Sequence, residues 1–125
     1  METQVKPQIT PIEAMEFMSK LNIPGKVQLF YLALRFGLSK EIPGKEYMVA
    51  KPSYEELTKY LNISRMSHFT IPKELSSNGL VYLQHCQHKK IAFFIPIYSM
   101  KINGNDIRHF LKENPSLSEN LSFKY

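Results

Sequence analysis

Between positions 64 and 73 the chain sets out Ser64, Arg65, Ser67, His68, Thr70 and Lys73, with only apolar residues between them. Hydroxyl, imidazole and cationic groups of this kind donate hydrogen bonds to anionic and carbonyl oxygens. A guanidinium does so best, gripping a phosphate or a base edge through two parallel bonds, which makes Arg65 the strongest candidate of the set. A second cluster follows at His85-Cys86-Gln87-His88-Lys89-Lys90. Here His88, Lys89 and Lys90 carry the charge that phosphates attract. His85, Cys86 and His88 are also metal-ligand types, but structural zinc takes four ligands, usually as two separated pairs. No second pair exists, and His109 stands alone. No metal and no other cofactor is expected.

Catalytic patterns are missing as well. The chain has no Gly-rich phosphate loop, no G-x-S-x-G and no H-E-x-x-H. On a strand, Cys86 and its immediate neighbours point to opposite faces, so the thiol lacks an orienting base and is a poor nucleophile. The chain reads as a binding protein, not an enzyme.

The first cluster is positioned by the stretch from Pro52 to Val81. Ser53 followed by Glu56 is a capping box. Tyr54, Leu57, Tyr60 and Leu61 then recur at helical spacing. Asn62-Ile63-Ser64 breaks that helix, and a second runs to Asn78-Gly79, where Gly can close it in the left-handed conformation. The runs from Leu80 to Gln84 and from Ile91 to Tyr98 are rich in Val, Ile, Phe and Tyr and predict a β-hairpin with the second cluster at its tip. Two helices about a short turn, followed by a hairpin, outline an α+β helix-turn-helix with a wing, mostly helical with a two- to three-stranded antiparallel β-wing.

SYEELTKYLNISR followed by KELSSNGLV resembles the winged helix-turn-helix domains of phage and plasmid replication or partition proteins and of small prokaryotic repressors. The resemblance covers about residues 25 to 98 and rests on the Ser-capped helix, the apolar-Ser-Arg turn and the Gly-Leu-Val step into the wing. It implies that the second helix reads duplex DNA and that the hairpin tip meets the backbone. His68 and Pro72 depart from it, standing where buried Val and Leu are usual. Proline inside a helix removes a backbone bond and clashes with the preceding turn, at about 3 kcal/mol. Met66 and Phe69 also fall nearly opposite Ile71 and Leu75 on an ideal helix, so one straight helix cannot bury all four. These features predict a helix kinked near Thr70, or a turn from Ser64 followed by a helix capped by Thr70. A core role is the alternative for His68.

Elsewhere, residues 1–9 read as a flexible arm and 115–125 as a tail, flanking one domain over 10–114. Thr10-Pro11-Ile12-Glu13 is a second capping box, and Ile12, Met15, Met18 and Leu21 form a stripe suited to the core or to a dimer seam. The helix from Lys26 to Gly37 is apolar nearly all round, the mark of a buried hub. Tyr47 to Val49 predicts a short strand paired with the wing. Pro96 suggests that its strand lies at a sheet edge, at least there. Asp106 to Lys112 predicts a short helix burying Ile107, Phe110 and Leu111.

With sixteen Lys and Arg against eleven Asp and Glu, the net charge is +5. That balance favours nucleic acid or an anionic membrane surface as partner. No apolar run approaches a membrane span, no signal-peptide pattern opens the chain, and the lone Cys86 excludes an internal disulfide framework. The expectation is a cytoplasmic homodimer, joined through the N-terminal helix or the C-terminal segment, that binds double-stranded DNA and not membranes. Transcriptional regulation, plasmid or phage segregation and replication initiation all use that act. A winged-helix adaptor for protein–protein contact is the rival from another class.

Overall fold

Local signals set the ends of most helices. In the computed structural model, which describes residues 8–42, 44–85 and 91–114, α1 (Pro11–Lys20) starts from the expected capping box. Thr10 Oγ1 accepts from the Glu13 N–H at 3.1 Å, and the Glu13 carboxylate accepts from the Thr10 N–H at 2.9 Å. The same exchange between Ser53 and Glu56 opens α3 (Tyr54–Tyr60). Satisfying two free donors in this way contributes on the order of 1 kcal/mol per cap. Between them lie α2 (Gly25–Ala33), a π-helical turn over Leu34–Leu38, and the strands β1 (Lys40–Glu41) and β2 (Tyr47–Ala50). Then follow α4 (Arg65–Ser77), β3 (Tyr82–His85), β4 (Ile91–Pro96) and α5 (Gly104–Glu113).

The four strands form one antiparallel sheet in the order β1-β2-β4-β3. Successive side chains of a strand point to opposite faces, and both faces of β4 are covered. Phe93 and Ile95 join the larger core with Met48 and Ala50 of β2, Met18 of α1, Phe30 and Tyr31 of α2, Leu57 of α3, and Ile71 and Leu75 of α4. Ala92 and Phe94 turn the other way onto Ile107, Phe110 and Leu111 of α5. The predicted burial of those three α5 residues is therefore observed, and α5 makes a third layer. The protein is α+β, with five α-helices beside the sheet among the described residues, an arrangement compatible with a winged helix. The sheet has four strands against the two or three expected, because β1 adds to β2.

Arg35 ties the π-helical turn to the chain after β4. Although only 5% exposed, it donates to the Tyr31 hydroxyl at 2.8 Å and to the carbonyls of Ser99 at 3.3 Å and Ile97 at 2.6 Å. A buried guanidinium is costly unless its donors are met, and here carbonyls and a hydroxyl meet them. Burial pushes the Tyr31 hydroxyl pKa up, against the opposing pull of Arg35.

Several expectations are corrected. Helix α4 runs unbroken from Arg65 through Pro72 to Ser77, so Thr70 does not cap a separate helix. The apolar conflict is resolved by exposure: Ile71 and Leu75 are buried, whereas Met66 is 71% and Phe69 62% exposed. Pro72 carries no N–H and cannot donate to the His68 carbonyl. In α1 the buried residues are Ala14 and Met18, leaving Ile12, Met15 and Leu21 exposed. Helix α2 buries Val27, Phe30 and Tyr31, but its Leu29 and, in the π-helical turn, Phe36 face solvent, so the hub is not enclosed all round. Strand β4 is interior, between β2 and β3. Pro96 nevertheless sits at its end, paired with Tyr47 of β2 and beyond the last β3 partner at Phe94. Of the presumed arm, Ile9 packs against the core and Gln8 bonds Glu41; residues 1–7 and the tail 115–125 lie outside the described residues.

Candidate nucleic-acid interface

Helix α4 begins where Ser64, in extended conformation, accepts from the Ser67 N–H at 3.1 Å. Its hydroxyl also lies 3.2 Å from that of Ser67. Ser67 is only 8% exposed, so it turns inward and leaves the set of candidate contacts. Ser64 keeps an exposed position, but its side chain is committed to the cap.

Tyr54, at the start of α3, organises the neighbouring candidates. Its hydroxyl donates to the Ile63 carbonyl in the turn at 3.3 Å. The Arg65 guanidinium lies over its ring, 4.6 Å from the centroid, and the His68 ring meets it edge-on at 5.3 Å. His68 also packs edge-on against Phe69 at 5.8 Å. Desolvation, and secondarily the charge of Arg65, lower the His68 pKa. Its Nδ1 is buried without a hydrogen-bond partner. His68 is thus half-buried, neither the core histidine of the alternative reading nor fully exposed, and it is poorly suited to meet a phosphate as a cation.

Arg65, Thr70 and Lys73 remain exposed. At about 100° per residue they share one arc of α4, opposite Ile71 and Leu75. Among the described residues neither cation is paired with a carboxylate. The remaining candidates, His88, Lys89 and Lys90, lie outside the described residues, as does Cys86; the two predicted hairpin strands are observed as the antiparallel pair β3–β4. No group of three or more His, Cys, Asp or Glu that could hold a metal occurs among the described residues. No helix among them is long and apolar enough to cross a membrane.

Two features escaped the sequence reading. The exposure of Met66 and Phe69 puts an apolar pair between Arg65 and Lys73. On the far side of the sheet, Arg108, His109 and Lys112 line a cleft of about 530 Å³ with Tyr82, Gln84 and Asn105. Their spacing is visible once Ile107, Phe110 and Leu111 are recognised as the buried face of α5. Comparison with protein-family models, curated proteins and solved structures gives no match.

Proposed function

We propose that this chain is a winged helix-turn-helix protein that binds double-stranded DNA through α4, in the manner of a dimeric transcriptional regulator. Plasmid or phage segregation and replication initiation rest on the same physical act. The reading draws its main support from the outward arc of α4, where Arg65, Thr70 and Lys73 stand exposed beside a Ser-capped N-terminus. The strand order β2-β4-β3 behind the α3–α4 pair is compatible with it, and the net charge of +5 suits a polyanion. Such a protein works in the cytoplasm, on a nucleoid or plasmid.

Ile12 and Met15, exposed on α1 beside a shallow cleft of about 410 Å³, support a dimer joined through that helix. Two-fold pairing would place two α4 helices on half-sites about one DNA turn apart. Titration of a random-sequence duplex at about 50 and 200 mM salt tests the reading. Expected is binding at low salt that weakens steeply as salt rises. Absence of binding at 50 mM would overturn it and favour the protein–protein adaptor, a reading to which the exposed Met66 and Phe69 lend support.

A further inference from the structure

We propose that Met66 and Phe69 read thymine methyl groups, so that T-bearing steps in the major groove are the preferred target of α4; this rests on the DNA-binding reading. The solvent-facing residues of α4 are Arg65, Met66, Phe69, Thr70, Lys73 and Ser77, none of them acidic. Met66 is 71% and Phe69 62% exposed, while Ile71 and Leu75 fill the core from the opposite side. The two apolar side chains are therefore surplus to the fold. They sit in the first half of α4, the part of a recognition helix that meets base edges. Arg65 and Lys73 frame them with positive charge, which favours a polyanionic occupant.

Within the major groove an apolar side chain has one apolar partner on the base edges, the thymine C5-methyl. Met66 and Phe69 are three residues apart, a rise of about 4.5 Å along the helix. Residues three apart are neighbours on one helix face, so the pair presents one continuous apolar surface. Packing against His68 also steadies the Phe69 ring. Of the polar candidates, Ser67 is buried and His68 half-buried, while exposed Thr70 adds a methyl of its own to the same arc.

The test uses the 125-residue chain and duplexes enriched from a random-sequence pool by retention on it. Each enriched duplex is resynthesised with every thymine replaced by deoxyuridine, which keeps the pairing and removes the methyl. Expected is enrichment of thymine-containing steps and a loss of about fourfold in affinity per contacted methyl. Met66→Ala and Phe69→Ala should each lose part of the discrimination, and the double variant should bind the two versions almost equally, with unchanged thermal unfolding. Met66→Leu, still apolar, should keep the discrimination and guard against a folding artefact. Equal wild-type affinity for the two versions, or a pool bound without enrichment, would refute thymine reading while leaving DNA binding intact. Alanine variants that discriminate as the wild type does would refute it too, and would point to a protein as the occupant of this face. A chain that retains no duplex at all sinks both proposals together.

Discussion

Reversing charge at Arg65 and Lys73 should change the salt dependence of DNA binding by an amount that follows from simple counting. Both side chains are exposed on α4. Each phosphate neutralised by a cation adds about 0.9 to the slope of log affinity against log salt, so a dimer making about 6–10 phosphate contacts loses roughly three to five decades between 50 and 200 mM. Losing two contacts per protomer removes about 3.6 from the slope, or about two of those decades. Arg65→Glu also gives up the stacking on Tyr54, 4.6 Å away, worth about 0.5–1 kcal/mol at an exposed site. The thermal midpoint should therefore fall by a few degrees at most. Fluorescence anisotropy of a labelled duplex over a salt series gives the slope, and thermal unfolding checks the fold. A folded Arg65→Glu/Lys73→Glu variant with the wild-type slope would refute the placement of DNA on α4. The cleft bearing Arg108 and Lys112 would then be the surface to vary.

Leu75→Ala, at a fully buried position of α4, should cost about 2–5 kcal/mol in denaturant unfolding. The lowered His68 pKa means that the unfolded chain binds the proton more readily, so stability should fall as pH drops through the ordinary histidine range near 6.5 and level off below the folded-state pKa. His68→Phe should flatten that part of the profile; an unchanged pH dependence of the melting temperature would contradict it. If α1 joins the proposed dimer, Ile12→Glu and Met15→Glu, both at exposed sites, should give a folded monomer in sedimentation whose melting temperature no longer depends on protein concentration. A wild-type chain that is already monomeric would remove α1 as an interface.

The parts of the fold that were legible in the sequence are those decided within a few residues. Both capping boxes form because their donors and acceptors are three positions apart. Ile107, Phe110 and Leu111 crowd one side of α5 and leave it a single way to pack. Of the stripe Ile12, Met15, Met18 and Leu21 only Met18 enters the core, for a geometric reason. Each step of three residues falls about 60° short of a full circle, so the line winds around the helix. The core follows the step of four from Ala14 to Met18 instead. In α4 the opposition of Met66 and Phe69 to Ile71 and Leu75 was readable. A kink or break follows from Pro72 and from assuming all four buried, yet the helix continues through Pro72 with two of the four exposed. Apolar residues are under no such obligation. Strand β1 left little trace, since Lys40 and Glu41 join the sheet through backbone pairing to Val49 and Met48.

The candidate site was legible as a list of residues but not as an arrangement, because its organiser lies outside the cluster. Tyr54 belongs to α3 and reads as one more member of an apolar stripe. In the structure its hydroxyl holds the turn at Ile63 while its ring supports Arg65 and His68. One side chain thus links the turn between the helices to the resting position of the best cation. An arginine already laid on a ring has surrendered part of its rotamer freedom, of which about 0.5–1.5 kcal/mol is otherwise lost when such a side chain is immobilised on binding. Lys73 has no ring contact or ion pair among the described residues and retains that freedom. The two exposed cations of α4 are therefore unequal: Arg65 is suited to a fixed contact that sets register, and Lys73 to a looser electrostatic one.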